Sequence, residues 1–102
     1  YNRSMDKFDL TMEQLKLMQA KGAIVCDIRS PQEYNEGHLY GAIHLADYDI
    51  PIKYHTILPE KDKEIIIYCQ NGGRSKKAYN KLKKIGYHNL YSLCGGLDNI
   101  IW

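Results

Sequence analysis

The chain has 102 residues, 44% of them hydrophobic and 25% charged, which suits one packed domain and excludes a disordered or fibrous chain. Fourteen Lys and Arg against twelve Asp and Glu leave a formal charge of +2, too little to argue for a nucleic-acid-binding surface. No run approaches the roughly 20 apolar residues of a membrane span, and the opening YNRSMDKFDL lacks a signal-peptide core, so a cytoplasmic protein without a membrane partner is expected.

A single domain over residues 1–102 is expected, with the first five residues read as a cloning remnant or disordered lead-in. The first helix is predicted in LTMEQLKLMQAKG. Thr11 and Gln14 form a capping box, Leu10 and Leu15 are spaced as a hydrophobic staple, and Gly22 is a left-handed terminator. AIVCDI, residues 23–28, is continuously apolar rather than alternating, as in a strand buried on both faces of a parallel sheet. SPQEY repeats the capping logic, with Ser30 as cap, Pro31 at the first helical position and Glu33 reaching back.

AIHL, residues 42–45, is a short strand candidate, and the stretch holding Pro51 and Pro59 leaves room for a brief helix. EIIIY, residues 64–68, is a second fully buried strand. A helix is predicted from about Ser75 to Ile85, ended by Gly86, with Ala78, Leu82 and Ile85 on its apolar face. NLYSL, residues 89–93, is another strand, and GGLDNIIW a final short helical segment. This alternation predicts an α/β domain with a mainly parallel sheet covered on both faces by helices, and such folds place their sites at the carboxyl ends of the strands.

Cys69 stands at such an end, followed by Gln70, Asn71, Gly72, Gly73, Arg74 and Ser75. A thiol becomes a nucleophile when it ionises, which backbone N–H groups, a helix N-terminus and a nearby cation all favour. The two glycines allow the loop to curl its amides towards one point, and Arg74 adds a planar fork suited to oxyanions. The loop therefore reads as an anion cradle with a thiolate at its floor. Cys26, inside a strand, and Cys94, at a strand end, read as structural. Neither the three cysteines nor His38, His44, His55 and His88 have the spacing of metal ligands, so no metal is expected. The lysines at 76, 77, 81, 83 and 84 form a basic helix face, read as solvated.

Three stretches carry a family resemblance. CDIRSPQEYNEGHLYGAIHL holds Asp27, Arg29, Glu33, Tyr34, Gly37, His38, Gly41 and Ala42; YCQNGGRSKKAYNKL holds the cysteine loop; and GYHNLYSLCGG closes the pattern. In this order and spacing the chain resembles a rhodanese domain in its single-domain sulfurtransferase form. The resemblance implies a five-stranded, mainly parallel sheet. It also implies a ping-pong transfer of sulfane sulfur from thiosulfate or a similar donor, through a persulfide on Cys69, to cyanide, a small thiol or a protein thiol. Gln70 to Ser75 would then line the substrate site, and Asp27, Arg29 and His38 would brace it. No metal or organic cofactor is implied. The aromatic residue often found four positions after the double glycine is replaced here by Ile100, with Trp102 two further on.

Two alternatives share parts of the pattern. Cysteine phosphatases and arsenate reductases also set a thiolate in an arginine-bearing cradle, but their loops place five residues between cysteine and arginine, and only four intervene here. A non-catalytic regulatory module is the other, and the presence of Cys69 weighs against it.

Overall fold

The computed structural model describes residues 8–93 and 95–99. The lead-in before Phe8, Cys94, Ile100 and Trp102, all named above, lie outside the described residues. Five strands, β1 (Asp9–Leu10), β2 (Ile24–Asp27), β3 (Ile43–His44), β4 (Ile65–Tyr68) and β5 (Leu90–Leu93), form one sheet in the order β1-β5-β4-β2-β3. Every pairing is parallel. The connecting helices are α1 (Met12–Ala20), α2 (Pro31–Glu36), α3 (Ile50–Ile57) and α4 (Gly73–Ile85), with 3₁₀ turns at Asp47–Asp49 and Gly96–Asn99. Among the described residues no helix is long and apolar enough to cross a membrane.

β4 lies at the centre because its sequence admits no solvent on either side: Ile65, Ile66, Ile67 and Tyr68 are all fully buried. Alternation splits them between two cores. Ile65, Ile67 and then Cys69 pack with Ile50, Ala78 and Leu82 from α3 and α4. Ile66 and Tyr68 face the other way, towards Leu10, Leu15, Leu39 and Leu97. Helices on both faces of a parallel sheet are thus the architecture that the continuous apolar runs require.

Local signals are realised at the helix ends. Thr11 and Ser30 each accept from the N3 backbone while the N3 side chain returns a bond to the cap, completing both capping boxes. Leu10 and Leu15 are both buried in one cluster, as a staple demands. Gly22, with φ 108°, and Gly86, with φ 124°, terminate their helices with positive φ.

Two elements depart from the sequence expectations, α4 and β1, while the brief helix allowed for around Pro51 is present. α4 begins at Gly73, two residues before the predicted Ser75, because Gly72 adopts φ 94° and turns the chain into the helix earlier. The region before Pro59 holds an eight-residue helix preceded by a 3₁₀ turn. The strand β1 is not among the strands that the sequence predicts, because two residues are too few to show a period. It exists through its partner: Ser92 N donates to Phe8 O at 2.9 Å, and Ser92 Oγ donates to Asp9 Oδ1 at 2.7 Å.

Candidate active site

The register sets Asp27 beside Tyr68 at the carboxyl ends of β2 and β4. The residues that follow, Ile28–Ser30 and Cys69–Gly72, therefore emerge side by side at one edge of the sheet. Cys69 is fully buried. Its Sγ accepts from Gly72 N at 3.0 Å and Ser75 N at 3.2 Å.

This contact explains how α4 starts. Gly72 is the N-cap and has no side chain to satisfy the first amides. Ser75 is the N3 residue, the position that an N-cap side chain would normally serve. The sulfur takes over that service, so the thiol is built into the helix terminus. Both donors and the positive end of the helix dipole converge on the sulfur, an arrangement that stabilises negative charge placed there. Asn71 Oδ1 accepts from Gly73 N at 3.0 Å, and Ser75 Oγ donates to Gly72 O at 3.1 Å. Side chains of the loop thus hold its own backbone.

The outer side of the loop is clasped by the last 3₁₀ turn. Leu97 N donates to Cys69 O at 3.0 Å, and Asp98 N donates to Gln70 O at 2.8 Å. With these carbonyls drawn outwards, the N–H groups further along turn inwards. Gly96 makes the approach possible. It has φ 67°, and a Cβ built on it would stand 2.5 Å from Cys69 O and 2.8 Å from Gln70 C.

A buried polar network braces the loop from the opposite face of the sheet. Asp27, fully buried, accepts from Arg29 N and Arg29 Nη2, each at 2.8 Å, and from Tyr68 OH at 2.8 Å. Leu39 N donates in turn to Tyr68 OH at 3.0 Å. Burial, with the neighbouring Asp27 carboxylate, pushes the Tyr68 phenol well above its ordinary range. Arg29 then spreads outwards, donating to Gly37 O at 2.6 Å and Gln70 Oε1 at 3.1 Å. Gln70 Nε2 completes the chain by donating to Asp98 Oδ1 at 2.7 Å. Gln70 is therefore a strut between the Arg29 network and the clasp.

His38 is exposed and stands between Gly37 and Leu39, whose backbone groups join this network. Its ring stacks on Tyr34 with centroids 3.8 Å apart, and its Nδ1 lies 2.9 Å from Tyr34 O. On the other side His44 stacks on the same tyrosine at 4.7 Å and reaches Arg29 O at 2.6 Å. His44 thus meets the backbone of Arg29, while Tyr34 OH donates to Ala42 O at 2.7 Å and holds both rings beside it. Cys26 is fully buried within β2, where burial first and the Asp27 charge second push its thiol up to about 12.

Arg74 departs most from the reading of an open anion fork. Its Nη1 donates to Glu33 Oε1 at 2.7 Å and its Nη2 to Glu33 Oε2 at 2.9 Å. Glu33 also completes the α2 capping box, accepting from Ser30 N at 3.0 Å. The Arg74 guanidinium holds the Glu33 carboxyl down at about 2. The sequence places Glu33 in the α2 cap and in the family motif but assigns it no arginine partner, and it does not mark Tyr68, Asp98 or Gly96 as neighbours of the cysteine loop. Glu33 and Arg74 are 41 residues apart, so no local pattern announces their pairing.

A family model described as the rhodanese-like domain matches residues 11–101. Thiosulfate sulfurtransferase GlpE from Pseudomonas entomophila is 34% identical over 89 residues, spanning 87% of this chain and 80% of that protein. The GlpE protein of Tolumonas auensis is 33% identical over 82 residues, spanning 80% of this chain and 76% of that protein. Among solved structures, a rhodanese-related protein from Thermoplasma volcanium has a TM-score of 0.75 at 26% identity, covering 88% of this chain and 86% of that one. The human single-domain sulfurtransferase TSTD1 has the same fold, with a TM-score of 0.77 at 21% identity over 89% of this chain and 92% of its own. With a parallel five-stranded sheet, a cysteine loop at its carboxyl edge and a family match over nearly its whole length, this chain belongs to the rhodanese-like domain family.

Proposed function

We propose that the protein is a sulfurtransferase that moves sulfane sulfur from thiosulfate, or a donor of similar chemistry, to a thiol or cyanide through a persulfide on Cys69. The single observation that carries this reading is the convergence of the Gly72 and Ser75 amides on Cys69 Sγ at the start of α4. The names of the GlpE relatives support the same class of reaction.

The first half-reaction has the Cys69 thiolate attack the outer sulfur of thiosulfate. A new S–S bond forms, the donor's own S–S bond breaks, and sulfite leaves with the electron pair. The enzyme then carries a persulfide anion whose charge the loop amides and the helix dipole stabilise. In the second half-reaction the acceptor attacks the terminal sulfur, and the Cys69 thiolate departs. With cyanide the product is thiocyanate; with a thiol it is a new persulfide. Neither half needs an outside oxidant or reductant, and neither needs a metal.

Gly72, Gly73 and Ser75 supply the backbone of the sulfur pocket, Asn71 and Gln70 hold its shape, and Arg74 sets charge at its mouth. Asp27 and Arg29 position the loop through Gln70, and His38 supports the segment beyond α2. The four-residue spacing between Cys69 and Arg74 favours a single sulfur atom over a tetrahedral phosphate. The commitment of the Arg74 fork to Glu33 also leaves it unavailable for phosphate.

Intact-mass measurement after incubation with thiosulfate tests the proposal. Wild type is expected to gain the mass of one sulfur, lose it on addition of cyanide or a thiol, and produce sulfite in equal amount. Cys69→Ser is expected to gain nothing. Equal gain by both proteins, or none by wild type, overturns the reading, and hydrolysis of an aryl phosphate well above a Cys69→Ser background would replace it with the phosphatase alternative.

A further inference from the structure

Beside the cysteine loop, the Arg74 cation is already matched by an anion. The Glu33–Arg74 pair is bidentate, at 2.7 and 2.9 Å, and joins the first turn of α4 to α2. The Arg74 side chain is 36% and the Glu33 side chain 31% exposed, so the pair lies where an incoming solute meets the protein. Glu33 is fixed from its own side: Oε1 also accepts from Ser30 N at 3.0 Å and Ser30 Oγ at 3.1 Å. Swinging the carboxylate away would break the reciprocal half of the α2 capping box. Asp47 adds a further negative charge within reach of Arg74. A donor approaching Cys69 therefore meets a neutral pair with Asp47 nearby, in place of an uncompensated guanidinium.

That arrangement has a consequence for the donor's charge. An open arginine favours a dianion over a monoanion, because each unit of charge adds attraction. A pair that is already neutral gives much less of that preference, and claiming Arg74 for the donor would require breaking two charge-assisted hydrogen bonds. Resting on the sulfurtransferase reading above, we propose that Glu33 is a specificity-determining residue of the sulfur-donor site. By holding Arg74, it lowers the preference for doubly charged donors and favours those carrying a single charge, such as organic thiosulfonates.

The reaction with such a donor balances in the same way as with thiosulfate. The Cys69 thiolate attacks the outer sulfur of methanethiosulfonate, the donor's S–S bond breaks, and methanesulfinate leaves with the electron pair. Thiosulfate and methanethiosulfonate thus deliver the same sulfur and differ by one unit of charge in the part that stays outside.

The test is the ratio of kcat/KM for thiosulfate to that for methanethiosulfonate, at one fixed ionic strength, with persulfide mass as a second readout. Glu33→Gln keeps an oxygen for the Ser30 cap and removes the charge, so the ratio is expected to rise roughly fivefold, the worth of one partly screened unit charge near the site. Arg74→Gln leaves Glu33 unmatched, and the ratio is expected to fall by a similar factor. A merely structural role would lower both rates together and leave the ratio in place. The opposite signs make either variant decisive if the other does not fold. A ratio that stays within twofold of wild type in the folded variants overturns the assignment of Glu33 while leaving sulfur transfer standing. Wild type that gains sulfur from neither donor overturns the sulfurtransferase reading, and the Glu33 proposal with it.

Discussion

Replacing Gly96 by alanine tests whether the last 3₁₀ turn holds the cysteine loop in shape. An L-residue at φ 67° costs about 1 kcal/mol in backbone energy alone. The added methyl would stand 2.5 Å from Cys69 O and 2.8 Å from Gln70 C and O. These are backbone atoms that cannot rotate aside, so the two segments must part. Parting them breaks Leu97 N to Cys69 O and Asp98 N to Gln70 O, at about 1 kcal/mol each. The total is about 3 kcal/mol, or a fall in Tm of about 15 °C for a domain of this size. Gly22→Ala is the matched control. Gly22 has φ 108° but nothing within 4 Å of an added Cβ, so only the backbone cost, about 1 kcal/mol, is expected there. Thermal unfolding of both variants gives the comparison. Sulfur loading by intact mass should fall further in Gly96→Ala, because the loop amides lose their aim at Cys69. If Gly96→Ala is no less stable than Gly22→Ala, the clasp does not hold the loop.

Acid stability should report on Glu33. Its carboxyl is held down at about 2 by Arg74, so its contribution is complete above its unfolded pKa of about 4.3 and is lost as pH falls through the folded value. Both partners are about a third exposed, and solvent screening reduces the expected contribution to about 1 kcal/mol. In urea unfolding the advantage of wild type over Glu33→Gln should shrink by that amount between pH 5 and pH 2 (about the window those pKa values set); a constant gap refutes this. Asp27→Asn keeps the shape but leaves the buried Arg29 without its counter-charge, so chemical denaturation should show a loss of about 3 kcal/mol; a loss under about 1 kcal/mol would mean that Gln70 and Gly37 satisfy Arg29 by themselves. Cys26, buried and with its thiol pushed up to about 12, should resist iodoacetamide at a pH of about 8 in the native protein and react in urea. Native labelling of Cys26, read by peptide mass mapping, at the rate of a free thiol would contradict its placement inside β2.

What the sequence determined by itself was encoded over a few residues. The capping boxes at Thr11 and Ser30, the positive-φ turns at Gly22 and Gly86, the buried run ending at Cys69 and the glycines that let its loop curl depend only on neighbours in the chain. From those followed the parallel sheet and the thiol at its carboxyl edge. The two-residue β1 carried too little pattern to be seen, and its strand character comes from the parallel partner β5. The partners of side chains were decided only by tertiary structure. Arg74 carries the same donors whether it faces an incoming anion or Glu33; the choice depends on α2 and α4 meeting at one edge of the sheet. Gln70 is likewise committed to Arg29 and Asp98 for the same reason. Conformation is a local property and can be read along the chain, whereas the pairing of charges and amides depends on strand register and packing, which bring together groups many residues apart.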